Sequence, residues 1–254
     1  MGKPDDSLPP EPLLAKQADW WAPFRAGLLR RAAVGQRRRV LDLGCGPGQI
    51  TAELLRRSAG RVIGAGRVIG VDRNFSALRR FSALYRAEAA FQAALPICAD
   101  AIHLPFADGS FDLVFCQWVL LWTPLWPVAE EIRRVLEPGG FLVALEPDYG
   151  GMIEYPPEIR SADLWRSGLT RAGADPEVGR KLPTVLAEYG FQVEVMLLDR
   201  LQTPDRARWE MLRQLPLLPE ELVRLEQAMQ AEARLPAEAV TVHLPIFGVA
   251  AKRT

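Results

Sequence analysis

The sequence predicts an α/β fold in which a mostly parallel sheet carries helices on both faces. Short apolar runs alternate with longer segments whose apolar residues recur every three or four positions, the pattern of successive strand–helix–strand units. One run, residues 111–116, is almost continuously apolar, which is typical of a strand covered by helices on both sides. The chain has 254 residues, 49% of them hydrophobic, which is enough for one large α/β domain with added helices.

The N-terminal part of the chain divides into two segments. Residues 1–10 contain three prolines and two aspartates and are predicted to be a mobile tail. Residues 11–35 have apolar residues at helical spacing and predict one or two helices packed on the edge of the domain. Their apolar face consists of Leu13, Leu14, Trp20, Trp21, Phe24 and Leu28.

Residues 40–51, Val-Leu-Asp-Leu-Gly-Cys-Gly-Pro-Gly-Gln-Ile-Thr, predict a strand that turns sharply into a helix. Three glycines spaced two apart allow unusual backbone angles and a close approach to a ligand. This spacing differs from the Gly-x-Gly-x-x-Gly of dinucleotide-binding turns, and the carboxylate of Asp42 just before it suits an ammonium group better than a pyrophosphate. A tight turn that binds no ligand is the alternative interpretation.

The next strand follows a tandem repeat. Residues 60–65, Gly-Arg-Val-Ile-Gly-Ala, are repeated almost unchanged at residues 66–71. The second copy leads directly into Asp72, so the strand is predicted at Val68–Val71, and the first copy becomes an extra loop or short hairpin. An acid at the end of the second strand of such a unit can accept hydrogen bonds from ribose hydroxyls. A turn or helix-capping carboxylate is the alternative for Asp72.

The remaining elements follow from periodicity and from glycine and proline positions. They are, in chain order, a helix from Asn74 to about Phe91, strands at Leu95–Ala99 and Phe111–Cys116, a helix that starts at Pro124 or Pro127 and is terminated by Gly139-Gly140, a strand at Phe141–Leu145, helices at about 159–172 and 183–189, a strand at 191–198, a helical segment at 204–234 and a final strand at 240–250.

Five motifs occur in a fixed order: the glycine turn, the strand ending in Asp72, Ala-Asp-Ala at 99–101, Leu-Pro-Phe with Ser-Phe-Asp at 104–112, and Pro-Gly-Gly at 138–140. With them, residues 38–148 resemble the class I S-adenosylmethionine-dependent methyltransferases, in particular the small-molecule subgroup called type 11. The resemblance implies a Rossmann-like seven-stranded sheet with a helical cap, its last strand antiparallel between the fifth and sixth. It also implies in-line transfer of a methyl group from S-adenosylmethionine.

The resemblance assigns cofactor contacts at the carboxyl ends of the strands. They are Asp42 at the amino acid end, Gly44, Cys45, Gly46 and Gly48 beneath the cofactor, Asp72 on the ribose, Arg73 and Phe75 beside the adenine, Asp100 and Ala101 on the adenine nitrogens, and Gln117 and Trp118 at the methionine part. For Asp100, as for Asp72, a turn carboxylate is the alternative.

The resemblance further suggests that the N-terminal helix folds over the cofactor, with Trp20 and Trp21 near the sulfonium. No catalytic residue is identified, because a general base is needed only if the acceptor must lose a proton. His243 and Tyr149 are candidates, with Tyr155 as a further acceptor contact, and both histidines also have a purely structural interpretation. His103 is predicted to lie at the surface.

The composition limits the classes of molecule that the protein is expected to bind. Basic and acidic residues number 31 each, so no electrostatic footprint for nucleic acid or an anionic membrane is present. The three cysteines lie far apart and predict buried free thiols in a reducing cytoplasm and no metal site. A neutral surface and a tryptophan-bearing cap favour a small, partly hydrophobic acceptor.

Two other functions are considered. A NAD-dependent reductase is disfavoured by the glycine spacing, and a catalytically silent binding protein of the same fold is disfavoured by the intact motif acids. The predicted organisation is a tail and lid helix at 1–35 and a single domain at 36–254, with helical insertions at about 149–190 and 204–234. The sequence does not predict the oligomeric state.

Overall fold

The structure, a computed structural model, describes residues 11–58, 67–85, 94–198 and 205–254. Its central feature is a seven-stranded sheet of order β3-β2-β1-β4-β5-β9-β7. These strands are β1 (Arg39–Leu43), β2 (Arg67–Asp72), β3 (Ala94–Cys98), β4 (Phe111–Gln117), β5 (Leu136–Pro147), β7 (Phe191–Leu197) and β9 (Ile246–Arg253). The first five are parallel, and β9 pairs antiparallel with both β5 and β7, which confirms the predicted closing pair.

The α-helices among the described residues cover both faces of this sheet and form the cap. They are α1 (Glu11–Trp20), α2 (Ala22–Arg31), α3 (Gln49–Arg57), α4 (Phe75–Tyr85), α5 (Leu125–Val135), α6 (Ala162–Arg171), α7 (Val178–Glu188), α8 (Ala207–Arg213) and α9 (Pro219–Ala233). A separate two-stranded ribbon pairs β6 (Ile153–Tyr155) with β8 (Thr241–His243). Within the described ranges, no helix has the length and apolarity that a membrane span requires.

The sheet is buried on both faces where the motifs lie. Val40, Leu41 and Leu43 of β1 are inaccessible to solvent, and Phe111–Cys116 of β4 is buried throughout. Strand β1 lies between β2 and β4, so the strand order reverses beside it. In open α/β sheets ligands bind at the carboxyl edge at such a reversal. The fold therefore brings the ends of β1, β2 and β4 together at one crevice.

Helix α2 is part of the core. Its Leu28 and Leu29 are completely buried. Leu28 and Phe24 pack so closely on β9 that a Cβ at Gly248 would lie 2.7 Å from atoms of both side chains. Because real Cβ contacts are never this short, Gly248 is needed for α2 to reach the sheet. The helix thus covers the sheet beside the crevice.

Two helix boundaries differ from the sequence prediction. Helix α5 ends at Val135, and Leu136 already pairs with Phe111, so Gly139-Gly140 lies inside β5 and does not terminate the helix. The pairing shifts register between Phe111 and Leu113, and this irregularity accommodates the glycines. Helix α7 starts at Val178, which places Pro183 inside the helix and not at its start.

The predicted final strand is two strands. Residues 241–243 leave the sheet to pair with β6, and β9 begins only at Ile246. Pro245 explains the break, because proline has no N–H to donate to a sheet ladder. Its carbonyl instead accepts a hydrogen bond from the Asp148 N–H at 2.9 Å. His243 consequently lies on the ribbon above the sheet and not on the last strand.

Smaller predictions have mixed outcomes. The second repeat copy forms β2 as predicted, while the first copy, at 60–65, lies outside the described residues, as does the predicted end of α4. Cys45 and Cys116 are buried free thiols, but Cys98 is exposed at the end of the edge strand β3. His103 is exposed, as predicted.

Candidate active site

The glycine turn forms one wall of the crevice. Gly44, Gly46 and Gly48 have φ of 69°, 52° and 89°, the left-handed region in which glycine is favoured. A Cβ at Gly44 would stand 2.2 Å from Val119, whereas the corresponding position at Gly46 has no described atom within 4 Å. The backbone at Gly46 is therefore bare and open toward the crevice, as a closely bound ligand requires.

Asp72 links this turn to the next helix. Its two carboxylate oxygens accept hydrogen bonds at 2.8 Å from the Gly46 N–H and the Asn74 N–H. The side chain is only half-buried, and each carboxylate oxygen has a second lone pair that these two hydrogen bonds do not use. The geometry fits the turn carboxylate that was the alternative interpretation, and it also leaves the carboxylate available to a ligand hydroxyl.

The other predicted contacts occupy the same edge of the sheet. Arg73 and Phe75 are exposed beyond β2, and the exposed Asp100 accepts a hydrogen bond from the Ile102 N–H at 3.2 Å. Cys45 offers the crevice only its backbone, because its side chain packs against Gly70, where a Cβ would lie 2.9 Å from the Cys45 sulfur. Burial raises the pKa of that thiol.

Trp118 follows β4 in a strained conformation. Its φ is 58°, which costs a non-glycine residue on the order of 1–2 kcal/mol. Two interactions stabilise this strained conformation. The Trp118 N–H donates a hydrogen bond to the Leu145 carbonyl at 3.0 Å, and the Trp118 ring stacks on Trp21 with centroids 5.4 Å apart. Trp118 is thereby aimed over the carboxyl edge of the sheet.

Arg25 fastens the N-terminal helices to this edge, although it is not among the site residues predicted from the sequence. Its side chain is only 3% exposed. It donates to Glu53 of α3 at 2.6 and 2.9 Å, to Gln117 at the end of β4 at 2.9 Å and to the Ala18 carbonyl at 2.8 Å. The available signal was its position four residues after Trp21, on the apolar face of α2. Gln117 is thus engaged by protein.

A cavity of about 100 Å³ opens beside Trp118 under the cap, which consists of helices α1, α6 and α8. Trp20, Trp21, Tyr149 and His243 all line it, and these are four of the residues predicted from the sequence to contact the cofactor or the acceptor. Gln117 and the exposed Tyr155 are not among its lining residues. The lining consists of Gln17, Trp20, Trp21, Trp118, Tyr149, Met152, Trp165, Leu198, Asp205, Arg208, Met211, Val242, His243 and Leu244.

Comparisons with known proteins agree on one family. A methyltransferase domain model matches residues 41–144. An uncharacterized methyltransferase of Schizosaccharomyces pombe is 30% identical over 191 residues, which are 72% of this chain and 68% of that protein. The chain is a methyltransferase. It belongs to the class I enzymes that use S-adenosylmethionine as methyl donor.

Two further relatives share less with this methyltransferase. A malonyl-[acyl-carrier protein] O-methyltransferase of Alcanivorax borkumensis is 35% identical over 115 residues, 40% of this chain and 38% of that protein. A crystal structure of geranyl diphosphate C-methyltransferase from Streptomyces coelicolor, in complex with Mg²⁺, geranyl diphosphate and S-adenosyl-L-homocysteine, superposes with a TM-score of 0.61 at 16% identity. That match covers 92% of this chain and 77% of the other. The structural likeness supports the fold.

Two buried carboxyl groups support the site of this methyltransferase. Burial raises the pKa of Asp42 to about 7, reinforced by the charge of Asp72 and opposed by a hydrogen bond from the Thr51 hydroxyl and by the charge of Arg25. Burial likewise raises the pKa of Glu146 to about 7. Hydrogen bonds from the three backbone N–H groups of residues 119–121 to its carboxylate oppose this rise. Glu146 thereby fixes the loop that carries Trp118.

The sequence missed most of the polar and apolar groups that complete the cavity. Arg208 donates to Glu232 at 3.0 and 2.7 Å, and both side chains are buried. Trp165 stacks on Tyr149 with ring centroids 5.1 Å apart. These residues come from α6, α8 and α9, beyond the region of resemblance, where no motif marks them. Among the described residues, no cluster of His, Cys, Asp and Glu could hold a metal ion.

Proposed function

We propose that this methyltransferase methylates a small, partly hydrophobic acceptor that binds in the aromatic cavity. The observation that carries the proposal is the position of the cavity, which shares Trp118 with the carboxyl end of β4 and is roofed by Trp20 and Trp21 of the N-terminal helices. When bound, S-adenosylmethionine supplies a methyl group already activated for in-line displacement. The role of the chain is to align the acceptor with it and to exclude water.

The size of the cavity supports a small acceptor. One water molecule needs about 10–15 Å³ of such space, so a cavity of about 100 Å³ admits a group of several heavy atoms and not a folded macromolecule. Its walls are mainly aromatic and aliphatic. The net charge of zero also gives no general attraction for nucleic acid.

We assign the cofactor to the crevice between β1 and β2. The bare backbone at Gly46 would lie beneath it together with Gly44, Cys45 and Gly48 of the same turn. Asp72 would accept from the ribose hydroxyls, and Asp100 and Ala101 would bind the adenine. Helix α1 with Trp20 and Trp21 serves as the lid. Helix α2, which belongs to the core, would stay in place when the lid opens.

Two cavity residues remain candidates for proton transfer. Burial raises the pKa of Tyr149 well above its usual value, so its phenol stays neutral at physiological pH and acts as a hydrogen-bonding group, not as a base. His243 lines the same cavity from β8 and is half-buried. An imidazole nitrogen can accept a proton from a bound acceptor, so His243 is the better candidate for a base where the acceptor must lose a proton.

A cavity-filling variant tests the function. Met152 lines the cavity, and Met152→Trp is expected to abolish methyl transfer from labelled S-adenosylmethionine to a panel of small acceptors, because the acceptor can no longer enter. Leu222→Trp, at an exposed position on α9, is the matched control and should transfer normally.

Calorimetric titrations of the wild type and of Met152→Trp with two ligands complete this test. S-adenosylhomocysteine should bind both the wild type and Met152→Trp, and NAD should bind neither. Binding of S-adenosylhomocysteine without transfer to any acceptor would favour the silent binding protein. Transfer that persists in Met152→Trp would place the acceptor elsewhere.

The raised pKa of Asp42 predicts a pH dependence of cofactor binding. Below about pH 7 the carboxyl is protonated, and an ammonium group of the ligand binds better to the ionised form. The dissociation constant of S-adenosylhomocysteine should therefore fall up to tenfold per unit as the pH rises from about 6 to 7 and level off above. Calorimetry between pH 5.5 and 7.5 measures this.

Two isosteric variants make the pH experiment specific. Asp42→Asn should bind with little dependence on pH in that range. Glu146→Gln removes a carboxyl whose pKa is also about 7 but which is engaged by the loop, so it should retain the wild-type slope. A slope that survives in Asp42→Asn would remove Asp42 from the amino acid end of the cofactor.

A further inference from the structure

We infer that the acceptor presents hydrogen-bond-accepting oxygen, as a carbonyl or a carboxylate on an apolar, ring-bearing body, to buried N–H donors of the cavity. This inference rests on the proposed function and names the class of its substrate. It is carried by donors that the described part of the protein leaves without partners.

Four such donors border the cavity. They are the indole Nε1 atoms of Trp21, Trp118 and Trp165 and the Nε of Arg208, none of which has a hydrogen-bond partner among the described residues. Trp21, Trp165 and Arg208 are 6%, 6% and 7% exposed, Trp118 is half-buried beside the Tyr149 hydroxyl, and all four residues line the cavity. A buried donor without a partner costs about 1–3 kcal/mol, so four around one cavity indicate a missing ligand group.

The two carboxylates in and beside the same cavity are already occupied. Asp205 accepts from the Trp20 indole at 3.1 Å and from the Ala207 N–H at 2.8 Å. Burial opposes its ionisation, but these bonds and the Lys16 ammonium lower its pKa, which keeps it charged. The Glu232 carboxylate accepts hydrogen bonds from both terminal nitrogens of Arg208 and from the Trp209 indole.

The unpartnered groups are hydrogen-bond donors, and this determines which kind of ligand can satisfy them. Within the described ranges, the buried side-chain atoms that lack a partner are all nitrogen donors, and the acceptors are satisfied. A ligand that brings lone pairs satisfies these donors, whereas an ammonium group brings only more donors. The aromatic faces of the stacked pairs Trp21–Trp118 and Tyr149–Trp165 provide the apolar wall for the remainder of the ligand.

The charge around Arg208 does not decide between a carboxylate and a neutral carbonyl. Glu232 neutralises the guanidinium, so the free Nε offers a strong donor without a net positive field. Both ligand classes share the oxygen lone pairs that the donors require. The experiment below includes one probe of each class.

The test measures binding of four matched probes in the presence of S-adenosylhomocysteine, by calorimetry. The probes are 3-phenylpropionate, 4-phenyl-2-butanone, 3-phenylpropylamine and propylbenzene, which differ in the polar group and share the ring. The carboxylate, the ketone or both should bind at least tenfold more tightly than the amine and the hydrocarbon, and the tighter of the two identifies the source of the oxygen. Equal binding of amine and oxygen probes would overturn the inference.

Variants that delete one N–H at a time give a second measurement. Trp165→Phe and Trp21→Phe keep an aromatic ring and should weaken the oxygen probes about five- to tenfold, with propylbenzene unchanged. The control is Trp126→Phe, whose indole is exposed and donates to Glu188 away from the cavity. Unchanged binding of the oxygen probes in both cavity variants would also overturn the inference.

The proposed function and the inference about the acceptor oxygen are contradicted by different results. If the probes bind without preference for oxygen while methyl transfer is blocked by Met152→Trp, the inference is wrong and the proposed function stands. If no probe of any class binds although S-adenosylhomocysteine does, the cavity is not the acceptor site and both are wrong.

Discussion

Asp72→Ala is expected to weaken the binding of S-adenosylhomocysteine at least tenfold. An ionised carboxylate that accepts ligand hydroxyls contributes about 1.5–3 kcal/mol, and the variant loses this interaction. It also releases the N–H groups of Gly46 and Asn74, which the carboxylate holds at 2.8 Å. The glycine turn then loses its tie to the end of β2. Isothermal titration of the folded variant with S-adenosylhomocysteine measures the effect.

Asp112→Ala is the matched control for that experiment. Asp112 also accepts two backbone N–H groups, from Arg38 at 2.8 Å and from Arg39 at 3.0 Å, but at the opposite end of β1. Its removal should lower the free energy of unfolding without changing the affinity for the cofactor. If Asp72→Ala binds S-adenosylhomocysteine as tightly as the wild type does, the ribose contact is wrong and Asp72 serves only the turn.

The sheet and the meeting of the motif residues at one of its edges could be predicted because their signals are local. A strand, a glycine turn and the start of a helix occupy twelve consecutive residues at 40–51. The three glycines of the turn adopt left-handed backbone angles, which glycine adopts most readily. Asp72 is the last residue of β2, and Asp100 comes two residues after the end of β3. The carboxyl ends of parallel strands meet at one edge, so these positions converge whatever the packing elsewhere.

The acceptor side could be predicted only in part because its contacts are distant in sequence. The residue type of Trp20 and Trp21 makes them candidates, but their partners Trp118 and Asp205 lie about 100 and 185 residues further along the chain. No periodicity encodes such pairs. The split of the last strand was missed for a different reason, since the run at 240–250 reads as one strand unless Pro245 is weighed against it.

Arg25 shows the same difficulty at a single residue. An arginine in a helix that already contains Arg30 and Arg31 predicts a solvated side chain, and composition alone does not distinguish the buried member. Its burial follows from three acceptors on α1, α3 and β4, which meet only in the folded chain.

Arg25→Met is expected to lower the free energy of unfolding by about 3 kcal/mol, at the lower end of the range for breaking a buried ion pair. Arg25 and Glu53 are almost fully buried, and the variant leaves the Glu53 carboxylate with Arg57 as its remaining ion-pair partner at 2.7 Å. The Gln117 side chain also loses its donor, which loosens the end of β4 beside the crevice. Denaturant unfolding measures the stability, and titration with S-adenosylhomocysteine should show weaker binding.

Arg31→Met provides the comparison on the same helix. Arg31 pairs with Glu194, but both side chains are half-exposed, and such surface pairs contribute only about 0–1 kcal/mol. This variant should therefore unfold almost as the wild type does and bind the cofactor normally. In the double variant Arg25→Met/Glu53→Gln, part of the lost stability should return because no buried charge lacks its main partner. Equal losses in Arg25→Met and Arg31→Met would show that Arg25 does not fasten the cap to the site.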